Sequence, residues 1–232
     1  MSSSINITPI GVIRTPYADK FAVPRQSLMA GGVRSVIEFF RPYSDPQAFT
    51  GIEDFSHLHV LFFFDRIEDT SFHPMVRPPR LGGNRKIGVF ATRSPFRPSR
   101  IGLSVLRLGQ VIHRDGEVSL EVYGADMADG TPVLDIKPYL PYADCIEGAS
   151  AGYAQEEPRH KRVEFDPSLA SHPLLGDPET KGNLESILGC DPRPAYRPGE
   201  DDGREYRAVL YGHTISFCVK GDTVFVRQIL QS

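Results

Sequence analysis

Apolar and polar residues alternate along Leu103-Ser-Val-Leu-Arg-Leu-Gly-Gln-Val-Ile112 and again along Glu117-Val-Ser-Leu-Glu-Val-Tyr123, the period-2 pattern of half-buried strands. Between them lies His113-Arg-Asp-Gly116, and an Asp-Gly pair accepts the positive φ values of a tight turn, so this stretch is expected to be a β-hairpin. Ile5 to Ile13, Ser35 to Phe40, Leu58 to Phe64 and Thr131 to Ile136 read as further strands, and Ile87-Gly-Val-Phe-Ala-Thr92 as a short one. Many short strands punctuated by 20 Pro and 21 Gly favour an antiparallel sandwich or barrel for residues 1–146. The run Val60-Leu-Phe-Phe-Phe64 is apolar on both faces. It is expected to cross the core or to meet a second subunit.

Periodicity then fades. Residues 147–182 are rich in small and polar types and read as a linker or arm. Over residues 183–232 a small α+β unit is expected. Asn183-Leu-Glu-Ser-Ile-Leu-Gly189 is its short helix, with Asn183 as N-cap. Arg204 to Tyr211 alternates, and His213 to Val219 pairs with Thr223 to Leu230 across Gly221-Asp222. The expected fold is thus mainly β, a single antiparallel β-barrel followed by a small α+β domain. A chain of 232 residues, 40% of them hydrophobic, has enough apolar surface for such a core.

Charge sharpens the functional picture. The formal net charge is only -3, yet no acidic residue occurs between Asp69 and Asp115, where Arg77, Arg80, Arg85, Lys86, Arg93, Arg97, Arg100, Arg107 and Arg114 lie. Of 26 Lys and Arg, removing these nine leaves 17 against 29 acids elsewhere. Such segregation raises the local concentration of an anion, and arginine grips phosphate or carboxylate bidentately. The alternative is a solvated loop whose arginines pair with acids from elsewhere in the fold. Pro78, Pro79, Gly82, Gly83, Pro95 and Pro98 make the basic loops stiff rather than tail-like. No P-loop or G-x-G-x-x-G is present: Val89-Phe90 stands where the Lys and Ser/Thr would follow Gly83 to Gly88.

The blocks Pro78-Pro-Arg-Leu-Gly-Gly-Asn84 and Gly88-Val-Phe-Ala-Thr-Arg-Ser-Pro-Phe-Arg-Pro98 resemble the bacterial tRNA threonylcarbamoyladenosine N6-methyltransferase (TrmO) family. Phe21-Ala-Val-Pro-Arg-Gln26, Phe55-Ser-His-Leu58, Asp129-Gly-Thr-Pro-Val133, Asp135-Ile-Lys-Pro-Tyr-Leu-Pro141 and Asp191-Pro-Arg-Pro-Ala-Tyr-Arg197 follow in the same order. The likeness runs from about Ile10 to the C-terminus. It departs at Pro98-Ser-Arg-Ile101, where the family pattern has Asn-Pro in place of Ser99-Arg100, which leaves the shape of that loop open.

The resemblance implies an S-adenosylmethionine enzyme on a small barrel, acting as a homodimer on tRNA. By it, the cofactor contacts fall on Pro24, Arg25, Gln26, Asp65, Arg66, Arg93, Leu103, Asp129, Gly130, Thr131 and Pro132. These are sensible chemically: an Arg for a carboxylate, a Leu for an adenine wall, an Asp for a ribose or amine, and a Gly where backbone must approach closely. The turn Asp129-Gly-Thr-Pro132 is equally a good turn in its own right. The nitrogen to be methylated is urea-like and weakly nucleophilic, so a proton acceptor is expected, with Asp135 and Asp129 as candidates. Arg97 and Arg100 are expected at the threonyl carboxylate and nearby phosphates, and Arg193, Tyr196 and Arg197 at the unpaired bases of an anticodon loop. Tyr196 could instead only pack the small domain onto the barrel.

Two other readings stay open: an RNA-binding module without catalysis, and a methyltransferase for a small anionic metabolite. The N-terminus has no basic segment followed by an apolar core, and Cys145, Cys190 and Cys218 form no C-x-x-C, so a cytoplasmic protein with reduced thiols is expected. No membrane association is expected. His57 and His59 share one face of a strand, but no Cys or acid in the sequence nearby completes a set, and no metal is expected.

Overall fold

The computed structural model describes residues 5–69, 71–193, 201 and 203–232. Its strands are β1 (Gly11–Arg14), β2 (Arg34–Phe39), β3 (His57–Phe63), β4 (Met75–Val76), β5 (Ile87–Gly88), β6 (Ile101–Arg114), β7 (Glu117–Tyr123), β8 (Thr131–Pro138), β9 (Arg162–Phe165), β10 (Tyr206–Leu210), β11 (His213–Lys220) and β12 (Thr223–Gln231). Six of them close a barrel in the order β1-β2-β7-β6-β3-β8. Every neighbouring pair is antiparallel, and β1 seals the ring against β8 through Gly11↔Val133 and Ile13↔Thr131. Closure removes sheet edges that would otherwise invite pairing with another chain.

Alternation decides what lies inside. Leu58, Val60 and Phe62 of β3 point into the barrel, as do Leu106 of β6 and Leu120 and Val122 of β7, all nearly inaccessible. Leu61 and Phe63 stand on the opposite face and stay partly exposed. The apolar run Val60 to Phe64 therefore divides between core and outer surface. The β6–β7 hairpin turns at Asp115 and Gly116, with φ of 51° and 77°, as the Asp-Gly pair requires.

The second sheet has the order β10-β11-β12-β9. Within residues 147–182 the chain supplies β9, which pairs in parallel with β12 from Arg162↔Thr223 to Phe165↔Val226. Among the described residues three α-helices follow the barrel: α1 (Pro141–Asp144), α2 (Pro173–Gly176) and α3 (Pro178–Gly189). The Asn183 cap is corrected: α3 begins six residues earlier, where Asp177 accepts from Thr180 N–H at 2.9 Å and Pro178 fills the first turn. Asn183 lies buried inside the helix. Ile87 to Thr92 is a strand for only two residues and then a 3-10 turn at Val89–Ala91.

Leu184, Ile187 and Leu188 of α3 pack with Leu210, Ile215, Phe217 and Val224 of the sheet, and the same core takes in Tyr17, Ala22, Ala30 and Val33 from the first part of the chain. The barrel keeps a core of its own, and the segment Tyr17 to Val33, which links β1 to β2, packs instead into the core of the second sheet.

Candidate functional site

The structure gathers the expected residues into three groups. The first lines a cleft of about 1430 Å³ bordered by Arg25, Gln26, Arg93, Arg77, Arg80 and Arg193 among others. Arg93 Nη1 donates to Gln26 Oε1 at 2.9 Å, which ties the arginine-rich loop to the Pro24–Gln26 segment. Pro24 itself is buried, in the wall of a smaller adjoining cavity that shares Arg25 and Arg193. Arg25 Nη2 donates to Arg193 O at 3.0 Å.

Arg193 is buried, with Nε and Nη2 each 2.8 Å from the two carboxylate oxygens of Asp191. Against the upward push of burial, that pair holds the Asp191 pKa below its ordinary value. The guanidinium expected at tRNA bases is thus directed at Asp191. Tyr196 and Arg197 lie outside the described residues.

The second group is the turn before β8. Asp129 Oδ1 accepts from Thr15 N–H at 3.0 Å, and Arg14 Nη1 lies 4.0 Å from Oδ2. Arg66 reaches across to donate to Ala18 O at 3.0 Å and to Asp129 O. Gly130, at φ 77°, donates to Ile13 O. Thr131 closes the turn on Ala128 O at 2.7 Å, and Pro132 pairs with Val12 across the barrel seam. Asp65 sits one residue beyond Phe64, at the exit of β3.

The third group is a row on the barrel's outer face. Leu61 of β3 is flanked by Leu103 of β6 on one side and Asp135 of β8 on the other. Leu103 is 53% exposed, enough to present an apolar surface to a ligand. Asp135 is ion-paired with Lys137 at 2.7 Å.

Arg97 and Arg100 shape the loop that enters β6. Arg97 Nη1 donates to Thr92 O at 3.0 Å, and Arg100 stacks 4.6 Å from the Phe63 ring centroid. Arg100 has φ 51° and its N–H donates to Arg97 O at 3.0 Å. A proline can adopt neither feature, so the departure at Ser99-Arg100 gives this loop a shape of its own.

A buried acid that sequence reasoning missed is Asp126. Asp126 follows β7 on the path to the Asp129 turn, accepts from Ser104 Oγ of β6 at 2.6 Å, and feels the charge of Arg93 and the N–H of Ser27. Burial pushes its pKa up to about 6, against the opposing pull of Ser104 and Arg93. The signal available in Gly124-Ala-Asp-Met127 was a lone acid among small and apolar residues.

Among the described residues, only Arg114 of the nine segregated cations makes an ion pair, with Asp115 at 3.5 Å. Arg107 stacks on Tyr123 at 4.0 Å. The remaining cations are left to meet an anion from outside, which favours the binding reading over internal neutralisation. His57 and His59 both pack near Tyr139, and His59 Nε2 lies 3.1 Å from Asp144. No cluster of three or more His, Cys, Asp or Glu able to hold a metal occurs among the described residues.

Known proteins share this architecture. A model of the tRNA-methyltransferase O N-terminal domain matches residues 12–145, and one of the TrmO C-terminal domain matches residues 159–232. The tRNA (adenine(37)-N6)-methyltransferase of Escherichia coli (strain K12) is 42% identical over 221 residues, covering 94% of each chain. A putative S-adenosylmethionine-dependent methyltransferase of Pseudomonas aeruginosa is 42% identical over 211 residues, or 89% of each. A crystal structure of TrmO from Pseudomonas aeruginosa superposes with a TM-score of 0.76 at 33% identity, covering 98% of both chains.

Proposed function

The chain belongs to the tRNA-methyltransferase O family, and from that premise we propose how its residues divide the work. It is an S-adenosylmethionine-dependent tRNA methyltransferase acting on N6 of adenine 37. The residues present fit that cofactor: Leu103 and Leu61 offer an apolar wall, Arg93 a cation for a carboxylate, Asp129 an acceptor, and Gly130 an open backbone. When bound, the cofactor supplies a methyl group already activated by its sulfonium. What remains for the protein is positioning.

The observation that carries the assignment is the cleft in which Arg93 meets Gln26 beneath loop arginines that have no ion pair among the described residues. We assign Arg77 and Arg80 to backbone phosphates of tRNA. Arg97 and Arg100 set the loop's shape and select the threonylcarbamoyl carboxylate on the target adenosine. Asp135, beside Leu61 in the same row as Leu103, accepts the N6 proton, with Lys137 holding its carboxylate. Pro24, Arg25, Asp65, Arg66, Thr131 and Pro132 fix the segments that present these groups, through Arg25 to Arg193 O and Arg66 to Asp129 O.

The enzyme acts as a homodimer. Support comes from the outer face of β3 and β6, where Leu61, Phe63, Ile101, Leu103 and Val105 form one apolar patch. A tRNA substrate supports a cytoplasmic location. Among the described residues no helix is long and apolar enough to cross a membrane. The test is mass spectrometry of tRNA nucleosides after incubation with purified protein and S-adenosylmethionine. A mass gain of one methyl on threonylcarbamoyladenosine is expected, and unmodified nucleosides would overturn the assignment.

A further inference from the structure

We propose that Phe90, Phe96 and Tyr153 form a stacking site for unpaired nucleobases of the tRNA anticodon loop, in the cleft that Arg77, Arg80 and Arg93 border. The inference rests on the methyltransferase reading above and says which side chains hold the bases beside the target adenosine. It moves that task away from Arg193, which is engaged with Asp191.

All three rings line the same cleft of about 1430 Å³. Phe90 is 72% exposed and Phe96 42%, while Tyr153 is half-buried. Single apolar side chains on a surface are ordinary, but three aromatic rings around one concavity mark a binding surface. Local hydrogen bonds hold the two phenylalanines there. Val89 is buried and its N–H donates to Pro74 O at 2.9 Å, and Thr92 Oγ1 closes the turn Val89–Ala91 by donating to Val89 O at 2.7 Å. Ser94 N–H donates to Thr92 Oγ1, Phe96 N–H to Ser94 Oγ, and Arg97 Nη1 to Thr92 O. The loop thus uses its polar groups to fix its own shape and leaves Phe90 facing water, braced by Phe72 with 6.4 Å between ring centroids. Tyr153 arrives from residues 147–182, where the turn Gly152–Ala154 lies against the turn Pro79–Leu81.

The chemistry of the cleft selects its occupant. A pocket for a small molecule encloses roughly 300–1,000 Å³, so this cleft is large enough for a longer ligand. Arg77, Arg80 and Arg93 form no ion pair among the described residues. Flat π-faces interspersed with such cations suit a single strand, whose bases stack on the rings while its phosphates meet the guanidinium groups. Glu156 and Glu157 also border the cleft and confine the phosphates to the arginine-bearing wall. A second copy of this chain is the poorer occupant, because an isologous contact on this face would set the unpaired arginines against themselves. A ring meets the face of a base and leaves its edge free, so the site holds neighbouring bases apart and exposes N6 of the target without reading sequence.

The experiment measures binding by fluorescence anisotropy with a synthetic anticodon stem-loop RNA, and with the same RNA made abasic at the unpaired positions that flank the target adenosine. Wild-type protein is compared with Phe90→Leu, Phe96→Leu and Tyr153→Leu, which keep an apolar side chain without a π-face, and with Phe90→Tyr, which retains the face. Each leucine variant should lose about five- to hundredfold in affinity for the intact loop, the range for one base–aromatic stack, and Phe90→Tyr should stay within about twofold of the wild type. On the abasic loop the wild type and the leucine variants should converge. The dependence of log affinity on log salt should not change, since no cation is removed. Leucine variants that bind the intact loop as tightly as the wild type, or that lose equally on both RNAs, would overturn the proposal. So would a fall in S-adenosylmethionine affinity by calorimetry, which would make the rings walls of the cofactor site, or a halved mass in light scattering, which would assign them to a contact between copies of the chain. Wild-type protein that binds neither RNA nor S-adenosylmethionine would instead overturn the methyltransferase reading itself.

Discussion

The ring of Phe62 lies over Gly102 across the β3–β6 ladder: a Cβ on that glycine would sit 2.2 Å from Phe62 Cζ. No real side chain tolerates that distance, so the barrel core at this level depends on the absence of one. Both residues adjoin the site, since Leu103 and Ser104 follow Gly102 directly.

Gly102→Ala should therefore destabilise the protein by about 1–3 kcal/mol, the usual range for overpacking a filled core. Because Phe62 must move against β6, the adjoining Leu103 should shift with it and cofactor affinity should fall as well. Thermal melting and calorimetry on the same variant check both effects. A variant as stable as the wild type would mean that the ring swings aside freely.

Position 100 gives a second test. Arg100 combines φ 51° with an N–H bonded to Arg97 O, and proline permits neither. Arg100→Pro, which moves the sequence toward the family pattern, is expected to destabilise by more than about 1 kcal/mol because its native conformation is incompatible with the ring. It should also lower methylation by displacing Arg97. Unchanged melting would show that the loop accepts the other shape without cost.

How much of this could be read from the chain depended on distance along it. The turns Asp115-Gly116 and Gly221-Asp222 were legible because turn chemistry is local, and the barrel strands because alternation is. The pairing of β9 with β12 was not, since it joins Arg162 to Thr223 through a polar stretch with no period of its own. Asp177-Pro178 carried a helix-start signal that Asn183 obscured, both being good caps. Asp126 was illegible for a further reason: its burial and its bond to Ser104 exist only once β6 and the loop after β7 meet.

The dimer can be tested through its patch. Leu103 is 53% exposed and pairs with Leu61 on the same outer face. Leu103→Asp should place a charge in that apolar surface and shift the protein toward a species of 25.8 kDa in light scattering, where the wild type is expected at twice that mass. Because Leu103 points away from the barrel interior, the melting temperature of the separated subunit reports whether the fold survives alone. A wild-type mass of one chain would refute the dimer.

The last prediction concerns tRNA. Removing residues after Asp191 would seem the direct way to ask what the second sheet contributes, but Leu210, Ile215, Phe217 and Val224 share a core with Tyr17, Ala22 and Val33. Such a deletion would strip the segment that carries Pro24 to Gln26 of its packing and confound binding with folding. Point changes in the cleft avoid this. Arg77 and Arg80 border it, with no ion pair among the described residues, and each is assigned to a phosphate. Arg77→Ala and Arg80→Ala together should leave S-adenosylmethionine affinity unchanged and weaken tRNA binding. They should also flatten the dependence of log affinity on log salt by about 0.7–0.9 for each phosphate that is no longer neutralised. The slope decides between the possible causes, since a change that merely loosened the loop would weaken binding at every salt concentration alike. An unaltered slope would place the tRNA backbone elsewhere on the molecule and leave these two arginines without a role in holding it.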